Sequence, residues 1–146
     1  MSSVLPPHFA SNCIDGTVSS MCHSQSDTQW PWLSIELPGR PSTVNYVVVT
    51  NRINCCWDLL SPFQLWIGAT AGDYDSPTSA SCGVDEVNLT TAENAGPFSF
   101  RCADINGSAL SGDYLTLVLP GIRTLHIAEL DAYSTLYSPS PPPPSP

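Results

Sequence analysis

Two cysteines stand side by side at Cys55 and Cys56, on a short stretch between two apolar runs, and no other feature constrains the chain more. Val44–Thr50 (VNYVVVT) leads into Arg52, and Phe63–Ile67 (FQLWI) follows a turn at Ser61-Pro62. Both runs are rich in β-branched or aromatic residues, as strands are. An arginine and a cysteine pair therefore sit on a loop between two strands, where a rigid sheet commonly holds binding groups. Neighbouring Cα atoms are only ~3.8 Å apart, below the usual ~4.4–6.8 Å of a disulfide. If Cys55 and Cys56 bond to each other, they close a small, stiff, flat and apolar ring. Such a ring is a platform for the hydrophobic face of a small ligand, with Arg52 beside it to donate hydrogen bonds. If each cysteine pairs with a distant one instead, the two bonds only staple the chain. The spacing alone leaves both arrangements open.

The 146 residues suffice for one domain with a core. Charged residues make up only 12%, the four cations are Arg40, Arg52, Arg101 and Arg123, and the net charge is -9. That balance argues against nucleic acid, whose phosphates need a basic surface, and against anionic membranes. It is compatible with a neutral partner, a cation or a basic protein. Six cysteines, none in a C-x-x-C motif, indicate an oxidising compartment and speak against a zinc site. Two sequons, at Asn88 and Asn106, agree with secretion. No apolar run approaches the ~20 residues of a membrane span. The start, MSSVLPPHFA, lacks a signal-peptide core, so the chain is expected to be a mature or excised piece of a longer secreted protein.

Residues 1–10 form an irregular lead-in, and Ser11–His23 reads as a long loop rich in oxygen side chains. Strands are expected at Trp32–Leu37, Val44–Thr50, Phe63–Ile67, Phe98–Cys102, Tyr114–Leu119 and Leu125–Tyr133. No segment has the 3.6-residue apolar period of a helix. Many short strands with Pro and Gly turns point to an all-β fold, an antiparallel β-sandwich over residues 11–137. From Ser138 the composition changes to SPSPPPPSP, which cannot join a sheet and favours a polyproline II tail or linker.

The motifs SNCIDG, SSMCH, PWLSIEL, VVVTNR-x-x-CC, FQLWIG, YLTLVLPG and LHIAELDAY, in this order, resemble an F-type lectin (fucolectin) domain, a branch of the discoidin-like, galactose-binding jelly rolls. The resemblance covers roughly residues 8–133, and NR-x-x-CC is its most specific part. It implies a jelly-roll sandwich and a sugar site made of a histidine, two arginines and a disulfide between adjacent cysteines. Matched residue by residue, these are His23, Arg52, Cys55 and Cys56, with Trp57 next door for stacking. Two positions depart from the pattern. Asn54 stands where the family has an acid before the cysteine pair, and Leu59 where it has its second arginine.

The resemblance also implies a calcium ion, which wants ~6–8 oxygen ligands. The matching positions are Asn12, Asp15, Thr17, Ser20, Ala128 and Glu129; Asp15 and Glu129 would supply charge, and Asn12 and Ala128 main-chain carbonyls. Without it, Asp15-Gly16 reads as a plain turn and Glu129 as an exposed strand residue. The implied disulfides are Cys13–Cys22, Cys55–Cys56 and Cys82–Cys102. A further bridge common in the family would fall at Met21 and Ala128 and has no cysteines here.

His126 reads as packed or exposed, Trp32 as core, Trp30 as a pocket rim, and Asp73, Asp75, Asp85 and Glu86 as solvated loop residues. No Ser/His/Asp or Cys/His order stands in a context that would activate a nucleophile, so an enzyme is the least favoured class. The expected function is carbohydrate binding by a module of a larger secreted glycoprotein. The alternative is a structural module that keeps the lectin fold for contacts with neighbouring glycoprotein chains. The Ser/Pro tail resembles hydroxyproline-rich glycoproteins of plant and algal cell walls and surface appendages. Pro139, Pro141, Pro142, Pro143, Pro144 and Pro146 are its candidate sites of hydroxylation and O-glycosylation.

Overall fold

The computed structural model describes residues 1–83, 86–89 and 95–134. The Ser/Pro tail with its candidate prolines, Asp85, and Thr90 of the first sequon lie outside the described residues. Alternation of apolar and polar side chains builds the two main sheets. One has strand order β1-β12-β5-β8, from β1 (Cys22–His23), β12 (His126–Tyr133), β5 (Tyr46–Asn51) and β8 (Phe98–Arg101). The other has order β3-β10-β6-β7, from β3 (Trp32–Glu36), β10 (Tyr114–Val118), β6 (Gln64–Gly68) and β7 (Ala80–Ser81). Every pairing is antiparallel. Two ribbons complete the ends: β2 (Thr28–Gln29) with β11 (Ile122–Arg123), and β4 (Ser42–Val44) with β9 (Leu110–Gly112). Among the described residues, helix is confined to short 3-10 turns at Ala10–Cys13 and Trp57–Leu59.

The inward positions alternate as the pleat requires. Val47 and Val49 of β5 face Leu65 and Ile67 of β6, Leu115 and Leu117 of β10 and Leu33 of β3, all essentially buried. The expected run Val44–Thr50 is interrupted at Asn45, whose N–H donates to Tyr133 O and whose carbonyl accepts from Cys102 N, both at 2.8 Å. That break makes β4 a separate ribbon strand.

On β12, the register shifts between Ile127 and Glu129. This bulge lets Ile127 and Leu130 both enter the core and leaves Ala128 and Glu129 facing the Asn12–Met21 loop.

Two readings of single residues are corrected. Trp32 is not between the sheets; it lies half-buried on the outer face of its sheet, beneath Gly72. Gly72 has φ +76, its N–H donates to Ser34 Oγ at 2.7 Å, and a Cβ there would sit 2.7 Å from the Trp32 ring. Asp73 is not solvated but 8% exposed. Burial alone would raise its pKa, but hydrogen bonds from Ser76 Oγ, Ala69 N and Thr78 Oγ1 outweigh that and hold it below the usual carboxylate value. Trp30 is stacked on Tyr74, with ring planes 2° apart.

Candidate functional site

The loop between β5 and β6 is bolted at its root by Asn51, which is fully buried. Its Oδ1 accepts from Arg52 N at 2.8 Å, and its Nδ2 donates to Trp57 O at 3.0 Å, so one side chain ties both ends of the segment that holds the cysteine pair. Cys55 and Cys56 are bonded to each other, with Cα atoms 3.8 Å apart. Cys56 takes a left-handed backbone, φ 64°, and leads into the 3-10 turn. The disulfide is half-exposed, with the exposed side chains of Ile53 (48%) and Leu59 (43%) on the same loop. Leu60 and Phe63 enter the core and anchor the far side.

Arg52 directs Nε to Asn54 Oδ1 at 2.6 Å, while Nη1 and Nη2 have no hydrogen-bond partner among the described residues. Asn54 thus orients the guanidinium as an acid would, without neutralising its charge. Leu59 brings no donor. The arginine that reaches this stretch is Arg123, and its guanidinium is spent on the main chain, donating to the carbonyls of Pro62, Leu59 (2.6 Å) and Ser61 (2.7 Å). Neither Asn51 nor Arg123 carried a signal in the sequence, because their roles depend on contacts that no local spacing encodes.

His23 is 9% exposed, and its Nδ1 lies 2.6 Å from Ser24 O. It stacks on His126, with ring centroids 5.2 Å apart, and the His8 ring lies tilted to it at 6.1 Å. His126 is packed rather than exposed, and among the described residues both its ring nitrogens are buried without a hydrogen-bond partner, as is Nε1 of Trp57. Burial, with His23 and Arg52 nearby, pushes the His126 pKa down to about 4, against a smaller pull from Asp58.

The calcium-type residues converge on one side of this cluster. Thr17 N donates to Asp15 Oδ1 at 3.0 Å and to Glu129 Oε1 at 3.1 Å. Ser20 Oγ bonds Asp15 Oδ2 at 2.5 Å and Asn12 O at 3.3 Å. Glu129 is 4% exposed rather than a solvated strand residue. Burial, then its contact with Asp15 and the charge of Asp131, push its pKa up to about 7. Asp15 shifts the other way, held low by Ser20, Glu129 and Thr17 N. A buried carboxylate driven to keep a proton beside a second carboxylate, with hydroxyls and carbonyls around them, is a donor set suited to a hard cation.

The other disulfides are Cys13–Cys22 and Cys82–Cys102, both buried. The sequon asparagines Asn88 and Asn106 are exposed. Asn106 sits in a turn where Asp104 Oδ1 accepts from Asn106 N at 2.8 Å and Ser108 N at 2.9 Å.

A disulfide-stapled antiparallel sandwich with an arginine and a disulfide between adjacent cysteines on one loop has the architecture of a galactose-binding-like domain. The sequence model of the NedA-like, galactose-binding domains matches residues 12–111. The chain belongs to this family and, within the same fold, to the fucolectins. It is 30% identical to fucolectin-4 of Anguilla japonica over 131 residues, 87% of this chain and 68% of that protein. It is 28% identical to fucolectin-6 of the same eel over 132 residues, and spans 64% of that protein's length. The serum fucolectin of the striped bass Morone saxatilis superposes with a TM-score of 0.70 at 23% identity, over 92% of this chain and 44% of that one.

Proposed function

We propose that this domain is a non-catalytic lectin module that binds a neutral sugar, fucose-like or similar, at the Arg52–Trp57 loop, as part of a larger secreted, proline-rich glycoprotein. The observation that carries the reading is the bonded Cys55–Cys56 ring beside an arginine whose Nη atoms have no hydrogen-bond partner among the described residues. The ring offers a flat apolar surface for one face of a pyranose. Arg52 would donate to ring or hydroxyl oxygens, and His23 and Trp57 are the remaining residues assigned to this sugar site. Three disulfides are the chemistry of an oxidising, extracellular setting. Asn12, Asp15, Thr17, Ser20, Ala128 and Glu129 would hold a calcium ion, whose charge would fix the Asn12–Met21 loop.

A second reading is a structural module of a cell wall or surface appendage, binding neighbouring glycoprotein chains. The observation that favours it is Leu59, an exposed leucine where the family supplies a donor. Binding to an array of neutral glycans separates the two. For the lectin reading, Arg52→Ala removes charge-assisted hydrogen bonds worth ~1.5–3 kcal/mol and is expected to weaken binding about tenfold or more, with an unchanged melting temperature. Full affinity in Arg52→Ala would move the site elsewhere, and an array without any bound glycan would favour the structural role.

A further inference from the structure

Trp30 occupies a backbone position that a bulky side chain avoids. Its φ is +46°, in the left-handed region that glycine and asparagine adopt more readily, and its N–H donates to Gly121 O at 2.6 Å. Its half-buried ring lies parallel to that of Tyr74, with planes 2° apart and centroids 6.0 Å apart. Tyr74 is held over it by the residues before it. Gly72 N donates to Ser34 Oγ, and the buried Asp73 carboxylate accepts from Ala69 N, Ser76 Oγ and Thr78 Oγ1. Neither the sugar site nor the calcium site uses this buried carboxylate; what it fixes is the loop that presents Tyr74. On the sheet beneath, Trp32 and Trp66 both point outward, alternating with the buried Leu33, Leu65 and Ile67. Trp66 is half-buried, and its Nε1 donates to Gln64 Oε1 at 2.9 Å. The register sets it two strands across and two residues along from Trp32, about 12 Å at ~4.8 Å per strand and ~3.3 Å per residue.

We propose that this aromatic face docks a proline-rich segment, and that the segment is the Ser138–Pro146 tail of a second copy of this chain. The proposal does not rest on the sugar site, which lies on the β5–β6 loop. Aromatic surfaces recognise proline-rich chains because a polyproline II rod is ordered before it binds and stacks its rings on Trp and Tyr. The chain carries such a ligand in SPSPPPPSP. At ~3.1 Å per residue, Pro139–Pro146 reaches about 25 Å, enough to cover Trp66 and the Trp30–Tyr74 pair together. Proline has no N–H, so the serine hydroxyls are the donors of the tail, and the exposed carboxylates of Asp27 and Asp75 stand near the ring pair to accept. The tail has no charged side chain, so it approaches a chain of net charge -9 without the repulsion that two whole domains exert on each other. The topology assigns the tail to a neighbour. β12 starts at His126, beside His23, and ends at Tyr133. β5 ends at Asn51, level with Ile127, and the binding loop carries the chain on to Gln64, level with Val118 and Trp32. The chain therefore leaves the sandwich from the other sheet, at the end remote from Trp30, and a stiff rod starting there does not turn back onto its own face. One face and one tail per copy make the contact head-to-tail, so copies add in series or rings rather than as two-fold pairs.

The test uses the full recombinant chain without proline modification and a labelled, end-capped SPSPPPPSP peptide, followed by fluorescence anisotropy. A control peptide has alanine in place of every proline. The expected result is saturable binding of the proline peptide, at least tenfold tighter than that of the control. In sedimentation velocity the chain alone is expected to form larger species as its concentration rises, and excess unlabelled peptide should reverse this. Trp30→Asn removes the ring at a position whose left-handed backbone asparagine tolerates, and Tyr74→Ser removes its half-exposed partner. Each is expected to weaken peptide binding at least tenfold and to return the chain to a monomer, with the melting temperature and the glycan-array profile unchanged. No peptide binding, equal binding of the alanine peptide, or binding that survives both substitutions would overturn the docking face. Displacement of the peptide by a neutral oligosaccharide would overturn it too and give the face to a glycan. A chain that stays monomeric at concentrations where the peptide binds would overturn the second copy as its occupant.

Discussion

His126 holds an imidazole at 2% exposure with neither nitrogen hydrogen-bonded to a described residue, stacked on a second histidine and within the field of Arg52. Its pKa of about 4, against an ordinary 6.5, has a defined sign for stability. Between those values the unfolded chain takes up a proton that the folded chain refuses. Stability is therefore complete above pH 6.5 and falls as the pH drops toward 4, by up to about 3 kcal/mol for this residue. In buffer holding excess calcium, His126→Leu is expected to flatten the decline of urea-unfolding free energy between pH 6.5 and 4.5. An identical pH profile in the variant would show that the ring is not the titrating group. The place of His126 on the last strand left packing and exposure both open, and the structure packs it. Its partner was not legible, because His23 and His126 are brought together only by the pairing of β1 with β12. The Cys55–Cys56 bond, with Arg52 three residues before it, was legible because it lies in a spacing of a few residues. Asn51 and Arg123 act on main-chain atoms across the loop, and an asparagine or arginine in a sequence does not announce which carbonyl it will find.

The β5–β6 loop separates its binding chemistry from its fold stability. A disulfide stabilises chiefly by closing a loop in the unfolded chain, typically by ~2–4 kcal/mol. Cys55–Cys56 closes none, with a sequence separation of 1, whereas Cys13–Cys22 and Cys82–Cys102 span 9 and 20 residues and are buried. The loop is held instead by Asn51 at its root, by Leu60 and Phe63 in the core, and by Arg123 across its far side. Mild reductant is therefore expected to open the half-exposed ring first. Alkylation and peptide mapping should place label on Cys55 and Cys56, with glycan binding reduced and the melting temperature nearly constant. Label appearing first on Cys13 or Cys82, or a large fall in melting temperature on opening the ring, would contradict this division. The long strands were legible to within a residue or two, since apolar residues alternate over Trp32–Glu36 and Gln64–Gly68 and run nearly unbroken over Tyr114–Val118. The ribbon strands Thr28–Gln29 and Ile122–Arg123 were not, because two residues carry no period. The split of Val44–Thr50 was hidden because β-branched residues continue on both sides of Asn45, and only the hydrogen bonds to Tyr133 and Cys102 reveal the break.

Across the whole molecule, a net charge of -9 with four arginines leaves the folded chain in a field that favours cations. The β12 bulge concentrates part of that field where Glu129 meets Asp15. Without a metal, Glu129 keeps a proton up to about pH 7 that it would release above 4.5 in the unfolded chain. Its contribution to stability is thus unfavourable above pH 7 and relieved as the pH falls through that window, opposite in sign to that of His126. Calcium would substitute for the proton, so its uptake at pH 6 should release protons, and its affinity should rise with pH up to about 7. Because the unfolded chain has no such site, an ion at one hundred times its dissociation constant adds about 2.7 kcal/mol, worth about 5–10 °C in melting temperature for a chain of this size. Chelator should remove that increment, and calcium, rather than magnesium at equal concentration, should restore it, since magnesium parts reluctantly with its water and demands stricter geometry. The Asp15→Asn and Glu129→Gln variants should melt at the chelated temperature and gain nothing from calcium. Identical melting curves with calcium and with chelator, and no metal in elemental analysis, would instead make Asp15 and Glu129 a carboxylate pair bridged by the proton on Glu129, with the Asn12–Met21 loop held by Cys13–Cys22 and the hydrogen bonds of Thr17 and Ser20 alone.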